Sequence, residues 1–114
     1  MTTRPVIKLP AGPVIRSSEG QQAAFAARSG GRLTGGTAPD GTYCVWLTDR
    51  GESQAVLWPP GYQARLDPLE ILDQDGQIVA REDDMLVVSG GVVHVDPAPC
   101  TLGQTAAFYI QAIA

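Results

Sequence analysis

The sequence predicts an all-β chain, and three observations carry that prediction. An Asp75-Gly76 pair separates two short β-prone runs, residues 69–73 and 77–81. Asp-Gly in that setting is a strong hairpin signal, because a type I′ turn needs positive φ at both central positions. Residues 43–58 read as a second hairpin around Asp49-Arg50-Gly51-Glu52. Thirteen glycines and nine prolines in 114 residues supply the many tight connections such a chain needs. With 44% hydrophobic and 18% charged residues, the chain is globular rather than disordered.

Residues 1–22 form a Pro-rich, weakly ordered arm with prolines at 5, 10 and 13, ahead of a single all-β domain over 23–114. Proline denies the arm regular backbone pairing, although Val6 to Leu9 offer one edge strand. Residues 19–28 have two readings. Ser18 and Gln21 have capping-box spacing and Gly30-Gly31 would stop a helix. Alternatively, Ala24 to Ala26 lead into a strand through Arg32 to Thr34.

Thr42 to Thr48 is β-branched and aromatic, hence a strand. Tyr43, Val45 and Leu47 share one face, Cys44 and Trp46 the other. Two apolar faces place it centrally or in a barrel. Ser53 to Trp58 returns as its partner, and Pro59-Pro60-Gly61 ends that strand, with either X-Pro bond a candidate for cis. After the Asp75-Gly76 hairpin come an acidic turn at Glu82-Asp83-Asp84 and a strand over 85–89. Gly90-Gly91 then marks a bulge or corner before Val92 to Val95. Ala106 to Ile113 is the last strand. Six or seven short strands favour a small closed or partly open antiparallel barrel, like the oligonucleotide/oligosaccharide-binding (OB) fold, with a β-sandwich as the alternative.

Charge is unevenly placed. Residues 1–36 hold five cations against one acid, whereas residues 37–114 hold three arginines against eleven acids. Nucleic-acid affinity rests on cationic contacts, so the acidic body argues against that partner. The basic arm reads as solvated or folded back on its own domain. Seven arginines against one lysine reads as a GC-rich coding bias. No run reaches the roughly 18–20 apolar residues of a membrane span.

Cys44 and Cys100 are the only cysteines. A bridge between them would pin the stiff Pro97-Ala98-Pro99 segment to a core strand; the alternative is two buried thiols. His94, Asp96 and Cys100 are weak metal-ligand candidates, with Cys44 as a fourth, but their spacing fits no strong pattern. Asp73, Asp75, Gly76, Ile78 and Glu82 half-match a calcium loop, yet Ile71 stands where its first acidic ligand belongs. A serine triad would need His94, the sole histidine, and no G-x-S-x-G surrounds a serine. Gly30-Gly31 and Gly35-Gly36 lack phosphate-loop spacing. No cofactor and no enzymatic activity are expected. Tyr43, Trp46, Trp58 and Tyr62 are the best ligand-binding candidates, able to stack on a sugar, a base or a Pro-rich peptide. Core packing is the commoner fate of such aromatics, and Trp58, next to Pro59, is the readiest of the four for exposure.

Three runs carry a resemblance: residues 56–62 (Val-Leu-Trp-Pro-Pro-Gly-Tyr), residues 72–81 around Asp75-Gly76, and Ser89-Gly90-Gly91. Together with Cys44 on its strand, they resemble small β-domains in actinobacterial proteins of unknown function. The likeness covers about residues 32–100, rests on turn-forming residues, and implies fold rather than activity. Some such domains occur in exported proteins. That strengthens the disulfide reading and favours export, with the leader removed, over a cytoplasmic chain. The function expected is a non-catalytic binding or interaction module for a protein, peptide or carbohydrate. Two alternatives stand beside it: a single-stranded nucleic-acid barrel, and a metal-handling protein using His94 and the cysteines.

Overall fold

The computed structural model describes residues 3–12 and 27–113. Its strands are β1 (Val6–Lys8), β2 (Ala27–Thr37), β3 (Tyr43–Asp49), β4 (Glu52–Leu57), β5 (Gln63–Arg65), β6 (Glu70–Leu72), β7 (Ile78–Arg81), β8 (Met85–His94) and β9 (Ala106–Ile113). Five of them close a barrel in the order β2-β3-β4-β9-β8, and the other four form a sheet ordered β1-β5-β6-β7. The chain is therefore all-β, as expected. The barrel is antiparallel except at one seam, where β4 and β9 run parallel. The Ser18–Gln21 pair, and the helix-or-strand question as far as residue 26, lie outside the described residues.

Gly30-Gly31 does not stop a helix; it lies inside β2. That strand is shared, pairing with β8 over Ala27–Arg32 and with β3 over Arg32–Thr37. A Cβ on Gly30 would stand 2.6 Å from the Leu86 carbonyl oxygen, and one on Gly31 would stand 3.0 Å from the Thr48 amide nitrogen. Bare backbone is what lets one strand serve two neighbours this closely. Gly90 makes the matching device on the neighbouring strand β8. The β8–β9 register shifts between Ser89 and Gly90, and a Cβ at Gly90 would run into the Tyr109 carbonyl. Residues 85–94 are thus one bulged strand.

The Asp75-Gly76 turn joins β6 to β7, so it belongs to the sheet and not to the barrel. It is not type I′. Gly76 has φ 80, but Asp75 is not among the positive-φ residues. The Asp73 carboxylate accepts the Asp75 and Gln77 amides at 2.9 Å each, a side-chain brace that leaves only Gly76 left-handed. The cis bond also falls elsewhere than expected: among the described residues it is Asp67-Pro68, and neither Pro59 nor Pro60 is cis.

Barrel and sheet share one core. Leu33, Leu47, Val56, Phe108 and Ile110 from the barrel cluster with Trp58, Leu69, Ile71 and Ala80 from the sheet side. Each fully buried side chain of this size contributes about 1.5–3 kcal/mol. The arm is stitched to this unit: the Leu66 amide donates to Pro5 O at 2.9 Å and the Trp58 amide to Pro10 O at 2.8 Å. Arg4 reaches the carbonyls of Leu66 and Pro68 and the carboxylate of Glu70. Glu70 is the buried charged residue of the described chain. Arg4 Nη1 and Arg65 Nη2 each stand 2.8 Å from its Oε1. The Arg65 hydrogen bond, helped by Arg4 and opposed by burial, holds its carboxyl below the usual glutamate range.

Candidate functional site

The candidate site is the outer face of β2, β3 and β4. Pairing aligns Arg32 with Thr48 and Thr48 with Ser53, while Thr34 aligns with Trp46 and Trp46 with Ala55. Because side chains alternate along a strand, Leu33, Val45, Leu47 and Val56 fill the core and this set points away from it. Thr34 Oγ1 lies 2.8 Å from Thr48 Oγ1, which lies 2.9 Å from Ser53 Oγ. A run of three hydroxyls therefore crosses three strands.

Trp46 is half-buried on this face. Its Nε1 donates to the Cys100 carbonyl at 2.9 Å, and its ring lies over Gly36, where a Cβ would stand 3.2 Å away. On the opposite face, Gly35 leaves room for the Tyr43 hydroxyl. Gly35-Gly36 thus separates two aromatic side chains rather than cradling a phosphate.

The connection from β8 to β9 folds over β3 and β4. It carries a 3-10 turn at Pro99–Thr101 and is anchored by the Cys44–Cys100 disulfide, whose Cα atoms stand 5.3 Å apart. The Val95 amide donates to Thr105 O at 2.9 Å, and Gln104 Nε2 donates to Ser53 O at 3.4 Å. Beneath it lies a small cavity of about 190 Å³, lined by Ala55, Leu57, Val95 and Ala107 among others. The disulfide reading holds, and its place is structural: one sulfur on a barrel strand, the other on the loop that covers it.

Beside the hydroxyl run opens a groove of about 420 Å³ lined by Arg32, Thr34, Thr48, Asp49, Arg50, Gly51, Asp83 and Met85. Arg32, Arg50, Asp49 and Asp83 make no side-chain hydrogen bond or ion pair among the described residues. Met85 is 65% exposed.

The four aromatic candidates do not form one surface. Trp58, the readiest of them for exposure by sequence, is 0% accessible. The arm covers it: Ala11 bridges Trp58 in parallel and the Gly12 amide donates to its carbonyl at 3.0 Å. Tyr62 stacks on Trp58 with ring centroids 6.4 Å apart, so both belong to packing. Burial raises the Tyr62 phenol, with Asp73 adding to it. Burial likewise raises the Tyr43 phenol, followed by the charges of Glu82 and Asp67. Of the four, Trp46 stands on the outer barrel face beside the groove.

The metal candidates do not assemble. His94 and Asp96 are 3.9 Å apart with side chains 78% and 100% accessible, and both cysteines are consumed by the disulfide. Among the described residues no three His, Cys, Asp or Glu gather as ligands, and the Asp73 carboxylate serves its own turn. No helix in the described chain is long and apolar enough to cross a membrane. Sequence reasoning missed Arg32, Arg50, Thr34, Thr48, Ser53 and Met85. Their only signal was alternation along separate strands, which becomes a surface once the register is fixed.

Neither a protein-family model, nor a curated protein, nor a solved structure matches this chain.

Proposed function

We propose that this chain is a non-catalytic binding module whose ligand lies across the outer face of β2, β3 and β4. The observation that carries the reading is Trp46: a half-buried indole paired across the strands with Thr34 of the groove and fixed through Nε1 to a disulfide-pinned loop. A pre-positioned aromatic offers contact area without an ordering cost at binding.

The barrel's connectivity supports the same face. Numbering the barrel strands in chain order, closure runs first-second-third-fifth-fourth with a parallel third–fifth seam. We read this as OB-like, a Greek-key barrel of the class that binds on its second and third strands and the flanking loops. Those strands are β3 and β4 here. The same topology keeps single-stranded nucleic acid as the second reading, against an acidic body. The disulfide supports an oxidising compartment and hence an exported protein.

The test is an amide and indole NMR titration with neutral oligosaccharides, Pro-rich peptides and oligothymidine. The reading expects one of these to move the Trp46 indole signal and the Thr34 and Thr48 amides together. Shifts confined to β1 or β7, the edges of the four-stranded sheet, would overturn it.

A further inference from the structure

Resting on that reading, we infer that the groove beside Trp46 is a subsite for a neutral, polyhydroxylated ligand, an oligosaccharide segment rather than a polyanion. The groove is balanced in charge. Arg32 and Arg50 bring guanidinium donors, and Asp49 and Asp83 bring carboxylate acceptors, none of them paired within the described residues, around one groove of about 420 Å³. Their charges cancel. A polyphosphate strand would gain from the arginines and lose as much to the carboxylates, since its affinity rests on net cationic contact.

A sugar hydroxyl is both donor and acceptor, so it can satisfy either kind of group. The floor has the same character. Thr34 and Thr48 line it, in a hydrogen-bonded run that continues to Ser53, and a hydroxyl both donates and accepts. Met85, 65% exposed on the groove wall, supplies an apolar surface for the C–H face of a ring.

Spacing extends the subsite toward Trp46. Thr48 and Trp46 are two residues apart on the same side of β3, about 6.8 Å along a strand. One sugar ring in the groove therefore places the next toward the Trp46 position on β3.

The experiment uses the full chain with hexasaccharides of glucose, mannose and N-acetylglucosamine, a hexagalacturonate, and a twelve-residue oligothymidine. Variants are Arg32→Gln, Asp49→Asn and Trp46→Phe, each checked for an unchanged circular dichroism spectrum. The inference expects one neutral hexasaccharide to bind, with affinity about tenfold weaker in Arg32→Gln and in Asp49→Asn. It also expects that affinity to stay level between about 0.05 M and 0.5 M NaCl. Tighter binding of hexagalacturonate or oligothymidine, falling steeply with salt, would overturn the inference and leave the binding face standing. A neutral ligand that senses Trp46→Phe but neither groove variant would do the same. If no probe moves the Trp46 signal, the groove assignment and the binding face fall together.

Discussion

Two tryptophans, twelve residues apart, one on β3 and one just past the end of β4, meet opposite fates. Trp46 sits mid-strand on β3 and faces outward, half-covered by a loop tied on through Cys100. Trp58 follows the end of β4 and is sealed by the arm on one side and Tyr62 on the other. In the sequence Trp58 looks the more accessible, standing next to two prolines. A turn-flanked aromatic is exposed only if no other segment lies over the turn. Here residues 9–12 lie over it.

The comparison breaks most visibly on substitution. Trp58→Ala is expected to cost about 3–5 kcal/mol in urea unfolding, because it opens a cavity in the shared core. Trp46→Ala should cost about 1–2 kcal/mol, within the range of partly buried sites. Equal costs would mean that Trp46 is as much a core residue as Trp58. Trp58 Nε1 is buried with no hydrogen-bond partner in the described chain, so Trp58→Phe should be far milder than Trp58→Ala.

Removing the loop's anchor comes next. The Cys44→Ala/Cys100→Ala pair is expected to lose about 4 kcal/mol in the chain-entropy treatment of a 56-residue separation. Acrylamide quenching should then rise at Trp46 and stay flat at Trp58, read in single-tryptophan variants. Unchanged quenching at Trp46 would show that the Cys100 carbonyl holds the indole without the disulfide.

Gly90→Ala probes the barrel apart from the sheet. Its methyl would collide with the Tyr109 carbonyl at the bulge, and a loss of about 1–3 kcal/mol is expected. Hydrogen exchange should quicken in β8 and β9 ahead of β6 and β7.

The smallest effect lies at Glu70. Its folded-state carboxyl sits below the ordinary glutamate range, chiefly through Arg65. Its stabilisation is therefore present at neutral pH and fades as pH falls below that range and through the folded value. Glu70→Gln should flatten this acid limb of the melting-temperature profile while leaving Trp46 quenching unchanged. Salt should shrink the effect, because Arg4, Arg65 and Arg81 all reach solvent. An acid limb that survives the substitution would place the linkage elsewhere.

Much of the fold was legible because turn chemistry is local. Asp75-Gly76 and Gly90-Gly91 state their business within a few residues, and the alternation over Tyr43 to Leu47 names a strand with two apolar faces. Two cysteines and a stiff Pro-rich segment made the disulfide one of two open readings, and the structure decides for it. The candidate site was barely legible. Arg32, Thr48 and Ser53 align through register, and no single strand contains that register. Which strands close the barrel was equally hidden, because the hairpin with the clearest signal lies in the other sheet.

The sequence by itself determined that this is a turn-rich all-β chain, where the strands of its two hairpins and its last strand fall, and that Cys44 and Cys100 are its only possible pair. Those properties depend on backbone preference and side-chain type over a handful of residues. Tertiary structure alone decided that β4 meets β9 in parallel, that the arm buries Trp58, and that Arg32 shares a groove with Asp83. Such contacts join residues about fifty apart, and their free energy comes from the common core that barrel and sheet bury together.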